Sequence, residues 1–207
     1  MKPKELLLIG AGGHAKSCID IIESKGDYSI AHIIGQESEI GLSILGHTVR
    51  YSDADLARLR NEYEYAFIAV GQIHSPATRK KLHLSLSVLG YSFATIISKS
   101  AVVSRYARIG SGSIVMNGVI LNADCTIGDN VILNSGSIIE HDVFIGDNCH
   151  VSTGVTINGG SKIGEGTFLG SGTVVRDGIE IGDNSFIGMT SVVTKNLSSG
   201  TILKANF

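Results

Sequence analysis

The chain has 207 residues, of which 43% are apolar, so it is long enough to build one or two domains with their own cores. Its formal net charge of −2, without a basic cluster, excludes the electrostatic footprint of a protein that binds nucleic acid or an anionic membrane surface. No apolar stretch reaches the ~20 residues that span a bilayer. We therefore expect a small molecule as the partner.

The first half opens with the pattern of a strand, a glycine turn and a helix. Residues 5–10 form an apolar run that ends in glycine, as a buried parallel strand does. Gly12, Gly13 and His14 follow, and apolar residues then recur at helical spacing. The free N–H groups of a helix N-terminus reached over glycines favour a phosphate. An NAD site is disfavoured, because Ala15 replaces the third glycine of the dinucleotide fingerprint.

Strands and helices then alternate up to about residue 97. The pattern predicts a second strand at 29–34, a helix at 52–60, a strand at 65–71, a helix at 75–89 and a last strand at 93–97. This alternation predicts a small parallel sheet covered on both faces, with a binding crevice at the carboxyl ends of its strands. Gly10, Gly35 and Gly71 all fall at such ends, so we expect the ligand there.

The second half carries an aliphatic residue at every sixth position. These positions are Ile97, Val103, Ile109, Val115, Leu121, Ile127, Leu133, Ile139, Ile145, Val151, Ile157, Ile163, Leu169, Val175, Ile181, Ile187 and Val193. A small or aliphatic residue follows each one by four positions, and glycine, asparagine or aspartate fills the turns. This period fits neither a helix nor a simple amphipathic strand and is typical of a parallel β-helix.

The predicted fold is therefore an α/β Rossmann-like domain at 1–96 followed by an all-β domain at 97–207. The hexads resemble those of the left-handed β-helix acyltransferases, in which three hexads make one coil. Three further marks are residues 10–14, residues 69–72 with Arg79, and residues 140–142. With these marks the chain resembles a narrower family, the sialic acid O-acetyltransferases and the nucleotide-4-aminosugar N-acetyltransferases of bacterial glycan biosynthesis.

Two histidines fall among the hexads, and neither occupies an inward position. His141 is followed by Asp142, and a carboxylate that accepts a hydrogen bond from one ring nitrogen raises the basicity of the other. The resemblance implies that His141 is the general base and that Asp142 supports it. It also implies that His150, Gly159, Ser171, Gly188 and Met189 contact acetyl-CoA.

The resemblance assigns the sugar nucleotide to Gly12, Gly13 and His14, with Gln36 and Gly71 at the neighbouring strand ends. The chain departs from the family in having Gly35-Gln36 where two aspartates are common, which indicates another base or a sugar without a nucleotide. It also ends in Ile-Leu-Lys-Ala-Asn-Phe instead of a segment similar to Gly-Asn-Pro-Ala-Lys. That ending indicates either a truncated tail or a different closure over the coenzyme.

The leading hypothesis is N-acetylation of the 4-amino group of a nucleotide-linked 4-amino-4,6-dideoxy sugar. The alternatives are O-acetylation of sialic acid or a related sugar, and a non-catalytic β-helix scaffold with a ligand-binding domain. No metal is expected, because two histidines fall short of the about three ligands of a catalytic zinc. The resemblance implies a homotrimer with His141 at the subunit junction.

The three cysteines are expected to be reduced and structural. Cys125 and Cys149 occupy small corner positions of the hexads, where a thiol behaves as a small hydrophobe, and three cysteines cannot all pair. A nucleophilic Cys149 is the less favoured alternative. Free thiols and the lack of a signal-peptide pattern indicate a cytoplasmic protein.

Overall fold

A computed structural model describes residues 2–73 and 75–204. In the first half of the chain, six strands form one sheet in the order β3-β4-β2-β1-β5-β6. The strands are β1 (Lys4–Ile9), β2 (Tyr28–Gly35), β3 (Ser43–Ile44), β4 (His47–Ser52), β5 (Tyr65–Ile68) and β6 (Ser92–Phe93). The helices are α1 (Gly13–Lys25), α2 (Leu56–Leu59) and α3 (Ala77–Val88), with single 3-10 turns at Glu37–Glu39 and Asp53–Asp55.

Both faces of this sheet are covered, as the sequence predicts. Leu6 and Leu8 of β1 pack in one core with residues of α1, whereas Leu7 and Ile9 pack on the opposite side in a second core with residues of α2 and α3. Successive strand residues point to opposite faces, so the continuous apolar run fits a strand buried on both sides.

Several details of the sequence prediction were wrong. The sheet is not wholly parallel, because the left-handed φ angles of Leu45 and Gly46 turn β3 back on β4 as an antiparallel hairpin. β4 and a 3-10 turn occupy the start of the predicted helix at 52–60, and α2 is a single turn that needs to bury only Leu56 and Leu59. The strand predicted at 65–71 ends at Ile68.

The predicted strand at 93–97 is divided where the chain changes partner. The Ala94 N–H still donates to Ala66 of the sheet, at 3.0 Å, whereas the Ile96 N–H donates to Ser113 of the coil, also at 3.0 Å. One strand cannot pair continuously with two separate sheets. The chain therefore passes from the sheet to the β-helix within two residues.

The second half is a left-handed parallel β-helix with three faces. Face A contains β7 (Ile96–Ile97), β10 (Ile114–Val115), β13 (Ile132–Leu133), β16 (His150–Val151), β19 (Phe168–Leu169), β22 (Phe186–Ile187) and β24 (Ile202–Leu203). Face B contains β8 (Val102–Val103), β11 (Ile120–Leu121), β14 (Ile138–Ile139), β17 (Thr156–Ile157), β20 (Val174–Val175) and β23 (Val192–Val193). Face C contains β9 (Arg108–Ile109), β12 (Thr126–Ile127), β15 (Phe144–Ile145), β18 (Lys162–Ile163) and β21 (Glu180–Ile181).

From β7 to β20, each strand pairs with the strand 18 residues further along, and β22 pairs with β24 at a spacing of 16 residues. Ile114 pairs with Ile132 and Leu121 with Ile139, for example, so three hexads make one coil. The hexad aliphatics from Val115 to Val193 are buried in a single core along the axis. The fold class predicted from the period of six is thereby confirmed.

The two halves of the chain pack against each other through face A and α3. Ile114 and Ile132 point out of the coil but are fully buried in the core that includes α1. On α3, the buried Arg79 guanidinium donates to the Val70 carbonyl at 2.7 Å and to Asn130 of the coil. Burial lowers the pKa of Arg79 to about 10. These contacts hold the segment that follows β5 against face A.

Candidate active site

A cavity of about 540 Å³ lies at the carboxyl ends of the parallel strands, where the crevice was predicted. All five predicted substrate residues line it: Gly12, Gly13, His14, Gln36 and Gly71. The wall also contains residues that were not predicted from the sequence, among them Glu39, Asp53, Thr78 and Leu82. Glu39 and Asp53 belong to the two 3-10 turns, which the sequence pattern did not predict, and Thr78 lies in the first turn of α3.

The glycine turn leaves open space in front of α1. A Cβ atom at Gly12 or Gly13 would meet no atom within 4 Å, and the Gly12 cap has no side-chain hydrogen bond to the helix. Gly10, by contrast, has a φ of +117°, and a Cβ there would lie 2.7 Å from a methyl group of Val70. Free N–H groups at the start of a 13-residue helix, with no side chain in front of them, favour an anion.

His14 is the titratable ring beside this turn. Burial lowers its pKa to about 4, with smaller contributions from the nearby Arg79 and His150. Its buried Nε2 atom has no hydrogen-bond partner among the described residues. The ring is therefore neutral near pH 7 and has one nitrogen available for a ligand.

A second cavity, of about 650 Å³, lies on face A. Four of the predicted coenzyme residues line it: His150, Ser171, Gly188 and Met189. The wall also contains Ile73, Asn134, Ser152, Phe168, Gly170, Phe186 and Lys204. Residues 205–207 of the predicted tail lie outside the described residues. An apolar cavity with a few polar groups is typical of a cofactor site.

Three rings form the floor of this cavity. His150, Phe168 and Phe186 occupy the same outward position in successive coils, and the two phenylalanine rings stack with centroids 5.2 Å apart. Sequence reasoning missed both phenylalanines, although their spacing of 18 residues from His150 was a usable signal. A shared position in successive coils places side chains next to each other on one face.

The His150 side chain points out of the coil, as predicted, but it is buried. Its Nδ1 donates to the backbone carbonyl of Gln72, and its Nε2 lies 3.4 Å from the Asn134 amide nitrogen. Burial lowers the pKa of His150 to about 4. The segment after β5 covers this part of face A, a tertiary contact that the hexad pattern alone does not reveal.

His141 and Asp142 lie at the corner between faces B and C. The His141 Nδ1 is 2.7 Å from the Asp142 Oδ2, and both side chains are exposed, by 66% and 61%. Because a carboxylate only accepts, Nδ1 carries the proton and the Nε2 lone pair is free. The hydrogen bond to Asp142 raises the pKa of His141, and the charges of Glu140 and Asp177 add to the rise.

Gly159 was predicted to contact the coenzyme, but it lies outside the second cavity, one coil after His141. A Cβ at Gly159 would lie 2.6 Å from Cε1 and 2.8 Å from Nε2 of the imidazole. Its φ is not in the left-handed region, and the equivalent corner positions hold Ala123 and Asp177. The imidazole ring, rather than the turn, therefore requires glycine here. Among the described residues, no acceptor pairs with the Gly159 N–H.

Within one chain, His141 and the second cavity lie on opposite sides of face B. The cavity reaches the corner between faces A and B at Ser171 and Met189, whereas His141 lies at the corner between faces B and C. A face spans one hexad, which separates neighbouring corners by on the order of 15 Å. Within one chain, His141 and the second cavity are therefore separated by about the width of face B.

The cysteines do not offer a nucleophile. Cys18, Cys125 and Cys149 are free and buried. Burial raises the pKa of the Cys149 thiol to about 12, and the thiolate is the reactive form. Among residues 2–73 and 75–204 there is no group of three or more metal-ligating side chains, and no helix long and apolar enough to cross a membrane.

Two family models match the chain. Residues 5–86 match the PglD N-terminal domain, and residues 106–141, 124–159 and 160–195 match the bacterial transferase hexapeptide (six repeats). No curated protein matches the sequence significantly.

Solved structures are similar over nearly the whole chain. A histidine-to-asparagine mutant of perosamine N-acetyltransferase from Caulobacter crescentus, in complex with CoA and GDP-perosamine, is 34% identical with a TM-score of 0.90, over 96% of this chain and 92% of that one. This chain belongs to the sugar acetyltransferases of the left-handed β-helix family. The acetyltransferase domain of PglB from Neisseria gonorrhoeae, in complex with acetyl coenzyme A, is 27% identical with a TM-score of 0.89, over 99% and 97%.

Membership of this family confirms the resemblance drawn from the sequence. The chain is an acetyl-CoA-dependent sugar acetyltransferase, and the scaffold alternative is wrong. The roles of the individual site residues and the division at residue 96 stay predictions.

Proposed function

We propose that this acetyltransferase N-acetylates the 4-amino group of a nucleotide-linked 4-amino-4,6-dideoxy sugar in bacterial glycan biosynthesis. The His141–Asp142 pair carries the proposal, because it is an imidazole base with a free Nε2 on an otherwise rigid coil. The 34% identity to perosamine N-acetyltransferase supports an amine acceptor. The nucleotide is assigned to the first cavity, in the domain at 1–96, and acetyl-CoA to the second, on the β-helix at 97–207.

The reaction requires a general base and a hydrogen-bond donor that stabilises the oxyanion. As the sugar amine attacks the thioester carbonyl, the His141 Nε2 takes a proton from the amine nitrogen, and a new C–N bond forms. Asp142 keeps the Nδ1 proton in place and stabilises the imidazolium. The carbonyl oxygen becomes an oxyanion, for which the unpaired Gly159 N–H beside the ring is the proposed donor.

Collapse of the tetrahedral intermediate breaks the C–S bond. Coenzyme A leaves as a thiolate, and the proton held on His141 returns to the sulfur, so that the base is regenerated. The products are the acetamido sugar and free coenzyme A. No covalent enzyme intermediate is required, in agreement with the high pKa of the buried Cys149 thiol.

The mutation Asp142→Asn is expected to shift the pH profile of kcat/KM to lower pH. The base acts in its neutral form, and the hydrogen bond to Asp142 raises the pKa of His141, so the wild-type rate rises with pH over a range above that of an ordinary histidine. Without the carboxylate, the midpoint of the rise in kcat/KM moves to lower pH. The maximal kcat/KM also falls, because the base is weaker and less well oriented. Glu140→Gln, which removes only a more distant charge, should shift the profile less. An unchanged midpoint in Asp142→Asn would exclude the pair.

We further propose a homotrimer in which His141 of one subunit faces the coenzyme cavity of its neighbour. The distance across face B supports such sharing, because His141 and the cavity of one chain are separated. Face B also presents a stripe of outward aliphatic residues suited to burial between subunits: Val102, Ile120, Ile138, Val174 and Val192. Val102 and Val192 are 64% and 68% exposed in the single chain.

Mixed trimers are expected to recover activity that neither parent variant has. His141→Ala removes the base, and Ser171→Trp places a bulky ring in the second cavity to obstruct the coenzyme. If the site is shared, an intact site needs a subunit that keeps His141 and a neighbour that keeps Ser171. In a co-expressed 1:1 mixture each condition holds for about half of the subunits, so about a quarter of the sites are intact. Activity that stays at the level of the separate variants, or a monomer in sedimentation, would contradict the shared site.

The function itself is tested by following free thiol when the purified protein meets acetyl-CoA and candidate acceptors. The panel contains UDP-, GDP- and dTDP-linked 4-aminosugars beside free sialic acid. Turnover of one nucleotide-linked amine is the expected result. Activity on sialic acid alone would move the assignment to O-acetylation. The coenzyme and the three free cysteines support a cytoplasmic location.

A further inference from the structure

The first cavity is elongated across the sheet, and the strand order determines which residues lie at each of its ends. Going across the sheet, Asp53 follows β4, Gln36 follows β2, the turn at Gly12 follows β1, and Ile73 lies beyond β5. Neighbouring strands lie about 4.8 Å apart, so the cavity extends over about three such spacings. A sugar nucleotide in it lies across the sheet, with its two ends at different strands.

The second cavity decides which end holds the sugar. Among the described residues, Ile73 is the one that lines both cavities. The sugar must reach the acetyl group, so it lies at the Ile73 end, and the glycine turn beside it holds the diphosphate. This step rests on the proposed function. The nucleoside is then left at the opposite end, beside β2 and β4.

That end carries two carboxyl groups, of which one is free. Glu39 accepts the backbone N–H of Gln36 at 2.7 Å. Asp53 lines the cavity, and its carboxyl group has no hydrogen bond to any residue in the described parts of the chain. Burial raises the pKa of Asp53, and the charge of Lys81 opposes the rise. Asp53 thus offers two acceptor oxygens to the nucleoside.

We propose that Asp53 determines nucleotide specificity and that the base is guanine. Guanine presents two adjacent donors, N1–H and N2–H, which match the two oxygens of one carboxylate. Uracil and thymine place a single N–H between two carbonyl oxygens, which a carboxylate repels. The Gln36 amide can donate to guanine O6, whereas an aspartate at this position would oppose that oxygen. The departure at Gln36 therefore fits a different base.

The test measures binding of GDP, UDP and dTDP by calorimetry, with wild-type protein and with Asp53→Asn. Wild type should bind GDP about 10- to 100-fold more tightly than UDP or dTDP, the discrimination of one bidentate pair. Asp53→Asn should lose this preference mainly through weaker GDP binding, because its amide offers a donor in place of one acceptor. Asp20→Asn, an equal charge change on the exposed side of α1, should keep the preference.

Equal binding of the three nucleotides by wild type, or a preference that survives Asp53→Asn, would overturn the proposal. A second variant, Gln36→Glu, should weaken GDP binding through repulsion of O6, and unchanged GDP affinity in it would count against guanine at this end. The thiol assay distinguishes failure of the guanine assignment from failure of the proposed N-acetylation. Turnover of a UDP-linked amine would overturn guanine while leaving the transferase intact. If GDP binding depends on Asp53 but no amine is turned over, the guanine assignment would stand and the proposed amine acceptor would be wrong.

Discussion

The mutation His141→Ala is expected to lower kcat by at least ~100-fold, the low end for loss of a general base, and to leave the fold intact. The imidazole is exposed, and its side-chain hydrogen bond is to the adjacent Asp142, so its removal leaves no buried group unsatisfied. Steady-state kinetics with a saturating nucleotide-linked amine measure the effect. Thermal unfolding measures the fold, and the unfolding temperature should stay within a few degrees of the wild-type value.

The chain offers a matched control for this variant. His47 and Glu23 also form a histidine–carboxylate pair, with Nε2 and Oε1 2.7 Å apart, away from both large cavities. His47→Ala should keep the wild-type rate. A near-normal rate in His141→Ala, or an equal loss in both variants, would contradict the assignment of the base.

The mutation Gly159→Ala is expected to lower kcat about 10- to 100-fold, because a methyl group would displace the ring of the base by about an ångström. The added Cβ would lie 2.6 Å from the His141 Cε1, closer than any ordinary contact, and the exposed ring is free to move away. Stability should therefore change little. The measurement is kcat in the wild-type background and again in the His141→Ala background.

In the His141→Ala background the same change should cost almost nothing, since no ring remains to be displaced. Ala123→Gly, the reverse change at the equivalent corner, should have little effect on the rate and controls for backbone effects. Equal losses from Gly159→Ala in the two backgrounds would show that the glycine acts independently of His141.

The β-helix could be predicted in detail because its signal is local and repeated. A hexad such as Ile145-Gly146-Asp147-Asn148 specifies an inward aliphatic and a turn at once, and the pattern recurs without a break from Ile97 to Val193. Errors gathered in the first half, where short elements such as α2 bury only two side chains. One helical turn is too short for a periodic pattern to define its ends.

Contacts between the two halves of the chain could not be predicted from the sequence pattern. His150 was correctly placed on the outside of the coil, yet it is buried because the chain beyond β5 returns to face A. Such a contact depends on how the sheet packs against the coil, and no periodicity specifies it. Two other features could have been predicted: the stacked rings of Phe168 and Phe186, and the position of Gly159 beside His141. Each follows from the 18-residue coil, because residues one coil apart lie side by side.

The most direct test of the central claim uses two acceptors that differ only at C4. One is a GDP-linked 4-amino-4,6-dideoxy sugar, and the other carries a hydroxyl group in place of the amine. We expect coenzyme A release and a product heavier by one acetyl group with the amine, and at most trace turnover with the hydroxyl compound. Acetylation of the hydroxyl compound at a comparable kcat/KM, or acetylation of the amine sugar at an oxygen, would contradict the account.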